Sequence, residues 1–136
     1  MRLKHLNPPE RPDWSALFSQ VVVVEESPLR IVAISGQVGV DVRQAVASDG
    51  SFEAQTKKAF ENLAVALSAA RCSVADVMKL TIYVVGYEPE KAGVITEVLR
   101  HQFGDRDLPA LTLVGVQTLA KPEFQIEIEA LAIATP

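Results

Sequence analysis

The sequence is poor in the residues that build disulfides and metal centres. Its 136 residues include one cysteine and two histidines. The lone Cys72 excludes an intrachain disulfide and any multi-cysteine metal site. His5 and His101 lie far apart, and neither stands in a ligand-spaced cluster, so no structural metal is expected. Long apolar runs are missing as well, since none approaches the ~20 residues that span a bilayer. The opening Met1-Arg-Leu-Lys-His-Leu-Asn7 carries basic residues without the apolar core of a secretory signal. A cytoplasmic protein with no membrane partner is the expectation. Positive charge is scarce and scattered. Thirteen Lys and Arg against seventeen Asp and Glu give a formal charge of −4, and Lys57-Lys58 is the one adjacent basic pair. Holding a phosphate backbone takes a basic groove, so no nucleic-acid partner is expected either.

What is present reads as one folded domain over residues 1–136. Hydrophobic residues make up 49% and charged residues 22%, enough apolar surface to offset chain entropy. Residues 6–13 hold three prolines, which remove donors and fix φ, so they read as an extended lead-in. Val21–Glu25 and Leu29–Ser35 are β-branched runs around the turn signal Glu26-Ser27-Pro28, which predicts a hairpin. From Ser51 to Ala70 the apolar period becomes helical, with Phe52, Phe60, Leu63, Leu67 and Ala70 on one face. Ser51 is the N-cap. The end near Arg71 lacks the glycine that would terminate it most easily. Met78–Val85 alternates as a strand. Pro89 opens a second amphipathic helix through Val94, Ile95, Val98, Leu99 and Phe103, and Gly104 closes it. Ala110–Thr118 and Phe124–Ile133 are two further strands, joined by a turn at Ala120-Lys121-Pro122. The order ββαβαββ predicts an α+β fold with a mixed sheet: parallel neighbours at the two strand–helix–strand crossovers, antiparallel ones at the hairpins. Two helices cover only one face of such a sheet. The strands are nonetheless apolar on both sides, as in Val21–Val24 and Leu111–Val116. Self-association through the open face, with clefts between subunits, resolves this.

Gln125-Ile-Glu127-Ile-Glu129-Ala130 is the segment most suggestive of chemistry. Alternation sets Gln125, Glu127 and Glu129 on one face, with the two carboxylates roughly 6.5–7 Å apart. Either one of them faces a cleft and handles a proton or a water, or the strand simply has a charged face. Ser35-Gly36-Gln37-Val38-Gly39 lacks the Gly-Lys-Ser/Thr ending and the immediate helix of a phosphate loop, so its glycines read as backbone bends. Cys72 is tied to no histidine by any motif and reads as a small residue near a helix end. His101 reads as a surface or packing histidine, and Trp14 as an anchor for the lead-in.

At these residues the chain resembles the Rid family, also called YjgF or L-PSP-like. The resemblance rests on Phe18-Ser-Gln-Val-Val22, Ile34-Ser-Gly-Gln-Val-Gly-Val-Asp41, Phe52-Glu-Ala-Gln55 with Ala59-Phe-Glu-Asn-Leu63, Asp76-Val-Met-Lys-Leu-Thr-Ile-Tyr-Val84, Pro109-Ala110 and Ile126-Glu-Ile-Glu-Ala130. It implies a chorismate-mutase-like α+β fold, a homotrimer, and small-molecule ligands in the clefts between neighbouring subunits. It also implies hydrolysis of reactive enamines and imines, such as 2-aminoacrylate, to a keto acid and ammonia, with no metal or organic cofactor. In that chemistry an arginine after Pro-Ala holds the substrate carboxylate. The first glutamate of the Ile-Glu-Ile-Glu strand positions water, and backbone near Ser-Gly-Gln completes the pocket.

Three positions depart from the pattern. Leu111 stands where those deaminases have the arginine, Phe18 where many have tyrosine, and Thr96 where some have asparagine. A leucine has neither charge nor donor. Losing such a partner costs about 2–5 kcal/mol, two to four orders in affinity. The expected site is therefore Glu127 as the catalytic group in a cleft lined by Phe18, Gly36, Val38, Thr96, Leu111, Thr112 and Leu113. Arg43, Arg100 and Arg106 are the candidates to replace the missing cation. Three readings follow: an imine or enamine hydrolase on a ligand other than 2-aminoacrylate, a non-catalytic metabolite-binding protein, and an endoribonuclease of the L-PSP type. The acidic charge balance argues against the third.

Overall fold

The structure, a computed structural model, describes residues 2–135 apart from Leu17 and Ser27. The expected turn at Glu26-Ser27-Pro28 therefore falls partly outside the described residues. The strands are β1 (Arg2–Leu6), β2 (Val21–Glu26), β3 (Leu29–Val38), β4 (Val77–Val85), β5 (Ala110–Val116) and β6 (Ile126–Ala134). The helices are α1 (Phe52–Ala69) and α2 (Pro89–Phe103), with one 3₁₀ turn at Val74–Asp76. They make the α+β arrangement expected, with a mixed sheet in the order β1-β2-β3-β6-β4-β5.

The observed sheet differs from the expected one at an edge, at one hairpin and at one crossover. Arg2–Leu6, to which the sequence reading assigned no element, adds an antiparallel edge strand to β2, and the expected lead-in follows it. The last two strands are not a hairpin. β5 lies parallel to β4 at the sheet edge, while β6 returns to the centre and pairs antiparallel with both β3 and β4. Of the two crossovers, only β4–α2–β5 yields parallel neighbours; β6 is inserted between β3 and β4. The cause is burial. β6 carries Ile126, Ile128, Ala130 and Ala132 as a fully apolar alternating row, which is best satisfied in the middle of the sheet beneath α1.

α1 begins at Ser51, whose hydroxyl accepts from Ala54 N at 3.1 Å. It buries Phe60, Leu63, Ala66 and Leu67 against the sheet. Its end uses Arg71 at φ 56°, in the left-handed position usually given to glycine, with Cys72 N bonded to Leu67 O at 2.9 Å. Arg30 offsets that strain. Its buried guanidinium comes from β3 and donates to Ala70 O at 2.6 Å and Arg71 O at 3.3 Å, placing a cation on the helix C-terminus. α2 starts with Pro89 as its first residue and buries Ile95, Leu99 and Phe103. No helix among the described residues is long and apolar enough to cross a membrane.

β3 continues beyond Ser35, where it was expected to end, and reaches Val38 through a bulge between Ile34 and Gln37. α1 braces the outgoing backbone, because buried Asn62 donates to Val38 O at 2.7 Å and Val40 O at 2.9 Å. Replacing Asn62 by leucine leaves two carbonyls without this donor. The expected cost is about 1–3 kcal/mol, read from the urea midpoint at unchanged m-value.

The face of the sheet away from the helices has two halves. Ile31, Leu131 and Ile133 are 46%, 39% and 37% exposed and form an apolar half on β3 and β6. The other half carries Glu127 and most of the polar side chains of this face, together with exposed Val114 of β5 opposite Tyr83.

Candidate functional site

Strand alternation decides which side each candidate faces. Ile126 and Ile128 are fully buried under the helices, so Glu127 and Glu129 point to the open face. The bulge in β3 brings Gly36 beneath Glu127. A methyl group at position 36 would overlap the Glu127 carboxyl, so the absence of a side chain there is what lets the carboxylate lie against β3. Burial pushes the Glu127 proton affinity up, and the charge of Glu129 adds to it. Among the described residues, no cation or hydroxyl pairs with Glu127.

Across the strand on the β4 side, Tyr83 stands opposite Glu127 and Thr81 opposite Glu129. The Tyr83 hydroxyl donates to Glu129 Oε1. Lys79, on the same face, donates to Thr112 Oγ1 of β5. The polar side chains of this half thus form a strip running from Thr112 and Lys79 through Thr81 and Tyr83 to the two glutamates.

The backbone beside Gly36 is held by buried side chains. Gln37 Nε2 donates to Gln20 Oε1 at 2.8 Å and to Ser35 O at 3.0 Å. Arg11, 4% exposed, donates to Gln37 Oε1 at 3.2 Å and Val40 O at 3.1 Å. Burial pushes its guanidinium down to about 10, against the opposing pull of Asp41. This pins the lead-in to the Ser-Gly-Gln segment. Trp14 stacks on Phe18 with centroids 6.2 Å apart. Lys121 sits over the Trp14 ring at 5.6 Å and bonds to Gln44 Oε1 at 3.0 Å. Trp14 therefore ties the lead-in to the loop that carries Lys121, and through Lys121 to the loop that carries Gln44, as expected of an anchor. Val38 joins Val40 and Phe124 in a small apolar cluster under those loops.

The structure divides the remaining candidates. Gly36, Val38 and Glu127 come together, since Val38 pairs with Glu127 in register. Ser19 and Gln20 run alongside Ser35 through Ser35 Oγ to Ser19 O at 2.5 Å and Ser35 N to Gln20 O at 2.9 Å, while Phe18 is exposed and stacks on Trp14. Thr112 also lies on the open face. Leu111 and Leu113 do not. They pair with Leu80 and Ile82, both fully buried on the helix side, and Leu113 packs onto that core. Within one subunit they point away from Glu127. Thr96 is exposed on α2, its hydroxyl turned back on Ala92 O at 2.8 Å, and it too is not brought to Glu127. Arg106 donates to Phe103 O at 3.3 Å at the end of α2, while Arg43 and Arg100 are exposed. None of the three bonds to a group on the Glu127 face among the described residues. Cys72 is half-buried and burial raises its thiol, the opposite of an activated nucleophile. His101 is a surface residue. Reading the sequence missed Tyr83, Lys79 and Arg11.

The family model described as Endoribonuclease L-PSP matches residues 9–134. The chain is 32% identical over 119 residues to the 2-iminobutanoate/2-iminopropanoate deaminase of Rattus norvegicus, an alignment covering 88% of this chain and 81% of that one. It is 28% identical to the protein of the same name from Dermatophagoides farinae, covering 94% of each. Among solved structures, RidA from the Antarctic bacterium Psychrobacter sp. PAMC 21119 superposes with a TM-score of 0.81 at 26% identity, over 96% of this chain and 99% of that one. The fold is the chorismate-mutase-like α+β fold of these proteins, and the chain belongs to the Rid (YjgF/L-PSP) family.

Proposed function

We propose that this chain hydrolyses imines or enamines that lack a carboxylate beside the reacting carbon, in clefts between the subunits of a homotrimer. The observation that carries the reading is the Glu127 carboxylate, seated over Gly36, unpaired by the described residues and with a raised proton affinity. Such a group takes one proton from an attacking water as the oxygen bonds to the imine carbon and passes it to nitrogen, giving a carbinolamine. It then takes the remaining hydroxyl proton and passes that to nitrogen as the carbonyl forms and the carbon–nitrogen bond breaks. An enamine first becomes the imine by moving its N–H proton to the β-carbon through water. The products are a carbonyl compound and ammonia. The deaminase names of the relatives support this chemistry.

Placing Leu111 and Leu113 opposite to Glu127 supports a site shared between copies. A leucine at the edge strand of one subunit meets Glu127, Gly36 and Phe18 only across a subunit boundary. The exposed apolar half of the open face supplies surface for that association. A binding role without turnover is the second reading, favoured by the apolar residue at position 111. The first test uses imines generated in place from amino acids and from simple amines. Neutral imines are expected to be hydrolysed faster than 2-iminopropanoate, by a particle sedimenting at three times the chain mass. Preference for 2-iminopropanoate overturns the substrate class, and no acceleration with any imine favours the binding role.

A further inference from the structure

The two glutamates of β6 are chemically alike but differently held. Glu129 accepts the Tyr83 hydroxyl, and Glu127 leans the other way, into the gap left by Gly36. Tyr83 itself stands directly opposite Glu127 in the β4–β6 register, where Cβ atoms are about 4.5–5.5 Å apart. Its ring therefore fills the space on the β4 side of Glu127 while its hydroxyl reaches along the strand to the next carboxylate.

We propose that Tyr83 is a positioning residue: it holds the Glu129 carboxylate at a fixed place beside Glu127, and so makes Glu127 the one member of the pair free to turn toward a ligand. The proposal rests on the reading of Glu127 as the working group, but its geometry does not depend on turnover. The surroundings of Glu127 leave few other groups to do this. β3 contributes Gly36 and Val38, which do not titrate. β4 contributes Tyr83, Thr81 and, further along, Lys79, which is already engaged with Thr112 of β5. Glu129 is the charged neighbour on β6, and it contributes to the raised proton affinity of Glu127. Freed from the phenol, the Glu129 carboxylate swings away from its like-charged neighbour into water, where its charge is screened.

Carbon-detected NMR titration of the Glu127 carboxyl in the intact protein tests this without requiring any substrate. In Tyr83→Phe the Glu127 midpoint is expected to fall by several tenths of a pH unit or more. In Glu129→Gln, which removes the charge outright, it should fall at least as far. If the native protein hydrolyses imines, the acidic limb of kcat against pH moves the same way, with KM changed less. A Glu127 midpoint that stays put or rises in Tyr83→Phe, with the amide spectrum otherwise native, overturns the proposal. So does an unchanged midpoint in Glu129→Gln. Absence of imine hydrolysis in the native protein would defeat the proposed function and leave the titration result standing by itself.

Discussion

Glu127→Gln is expected to lose about 10²–10⁴-fold in imine hydrolysis and, at the same time, to make the protein more stable than the native chain at neutral and alkaline pH. The two effects have one cause. Burial and the neighbouring Glu129 hold the proton on Glu127 to a higher pH than in the unfolded chain. Across the window between the ordinary glutamate range and that raised midpoint, the native state binds more protons than the unfolded state. Stability therefore falls as pH rises through it, and the deficit persists above it. Glutamine has the same shape and no charge at any pH, so it avoids the deficit. Below about pH 4 both states of the native chain are protonated and the difference should vanish. Urea melts of the two proteins at about pH 4 and pH 8, run beside initial rates, read both effects. A variant that is inactive but no more stable at the higher pH would mean that Glu127 is not held against a cost, and the case for a poised base would weaken. A variant that is fully active removes Glu127 from the chemistry. Function bought with local instability is common at working sites.

The elements of this fold were legible because each writes its period into its own residues. Phe60, Leu63 and Leu67 announce α1, Pro89 and Gly104 bracket α2, and Ile126, Ile128 and Ala130 announce a half-buried strand. Strand order was not legible in the same way. Nothing in Phe124–Ala134 says that its partners are β3 and β4 rather than the strand just before it, since central placement is decided by burial beneath α1. That one error hid Tyr83. Read with β5 and β6 as a hairpin, Tyr83 is merely a polar alternate on another strand; with β6 beside β4, it faces Glu127. Gly36 was noticed as a bend, but its use as the seat of a carboxylate depends on a bulge that shifts the β3–β6 register. The N-terminal strand was obscured because Arg2–Leu6 is short and mixed in character, followed closely by prolines. Leu111 and Leu113 were expected beside Glu127 on a resemblance that carries no information about which face of the sheet each residue takes.

Leu111→Arg is expected to raise affinity for carboxylate-bearing ligands by up to two to four orders of magnitude, with little effect on neutral ones. Position 111 can take the substitution: Leu111 is 40% exposed on the edge strand, so an arginine stem lies along the surface and its guanidinium stays solvated until a carboxylate arrives. Binding of 2-oxobutanoate, a stable stand-in for the imino acid, is read by calorimetry, and hydrolysis of 2-iminobutanoate by rate. Because residues 111 and 127 face opposite sides of the sheet in one subunit, the gain is expected to come from two chains. A double variant carrying Leu111→Arg and Glu127→Gln is expected to leave 2-iminobutanoate unhydrolysed, having the anchor but no base. The native chain, having the base but no anchor, should do little better. Refolded together, the two form mixed assemblies in which an arginine from one chain meets Glu127 from another, and 2-iminobutanoate hydrolysis should appear. Activity on mixing locates the site at the subunit boundary. Silence on mixing, with Leu111→Arg alone active, would mean that one chain supplies both residues through a rearrangement of β5. Silence throughout would mean that position 111 does not reach the ligand, and the argument from Leu111 for a preference for neutral imines would fall.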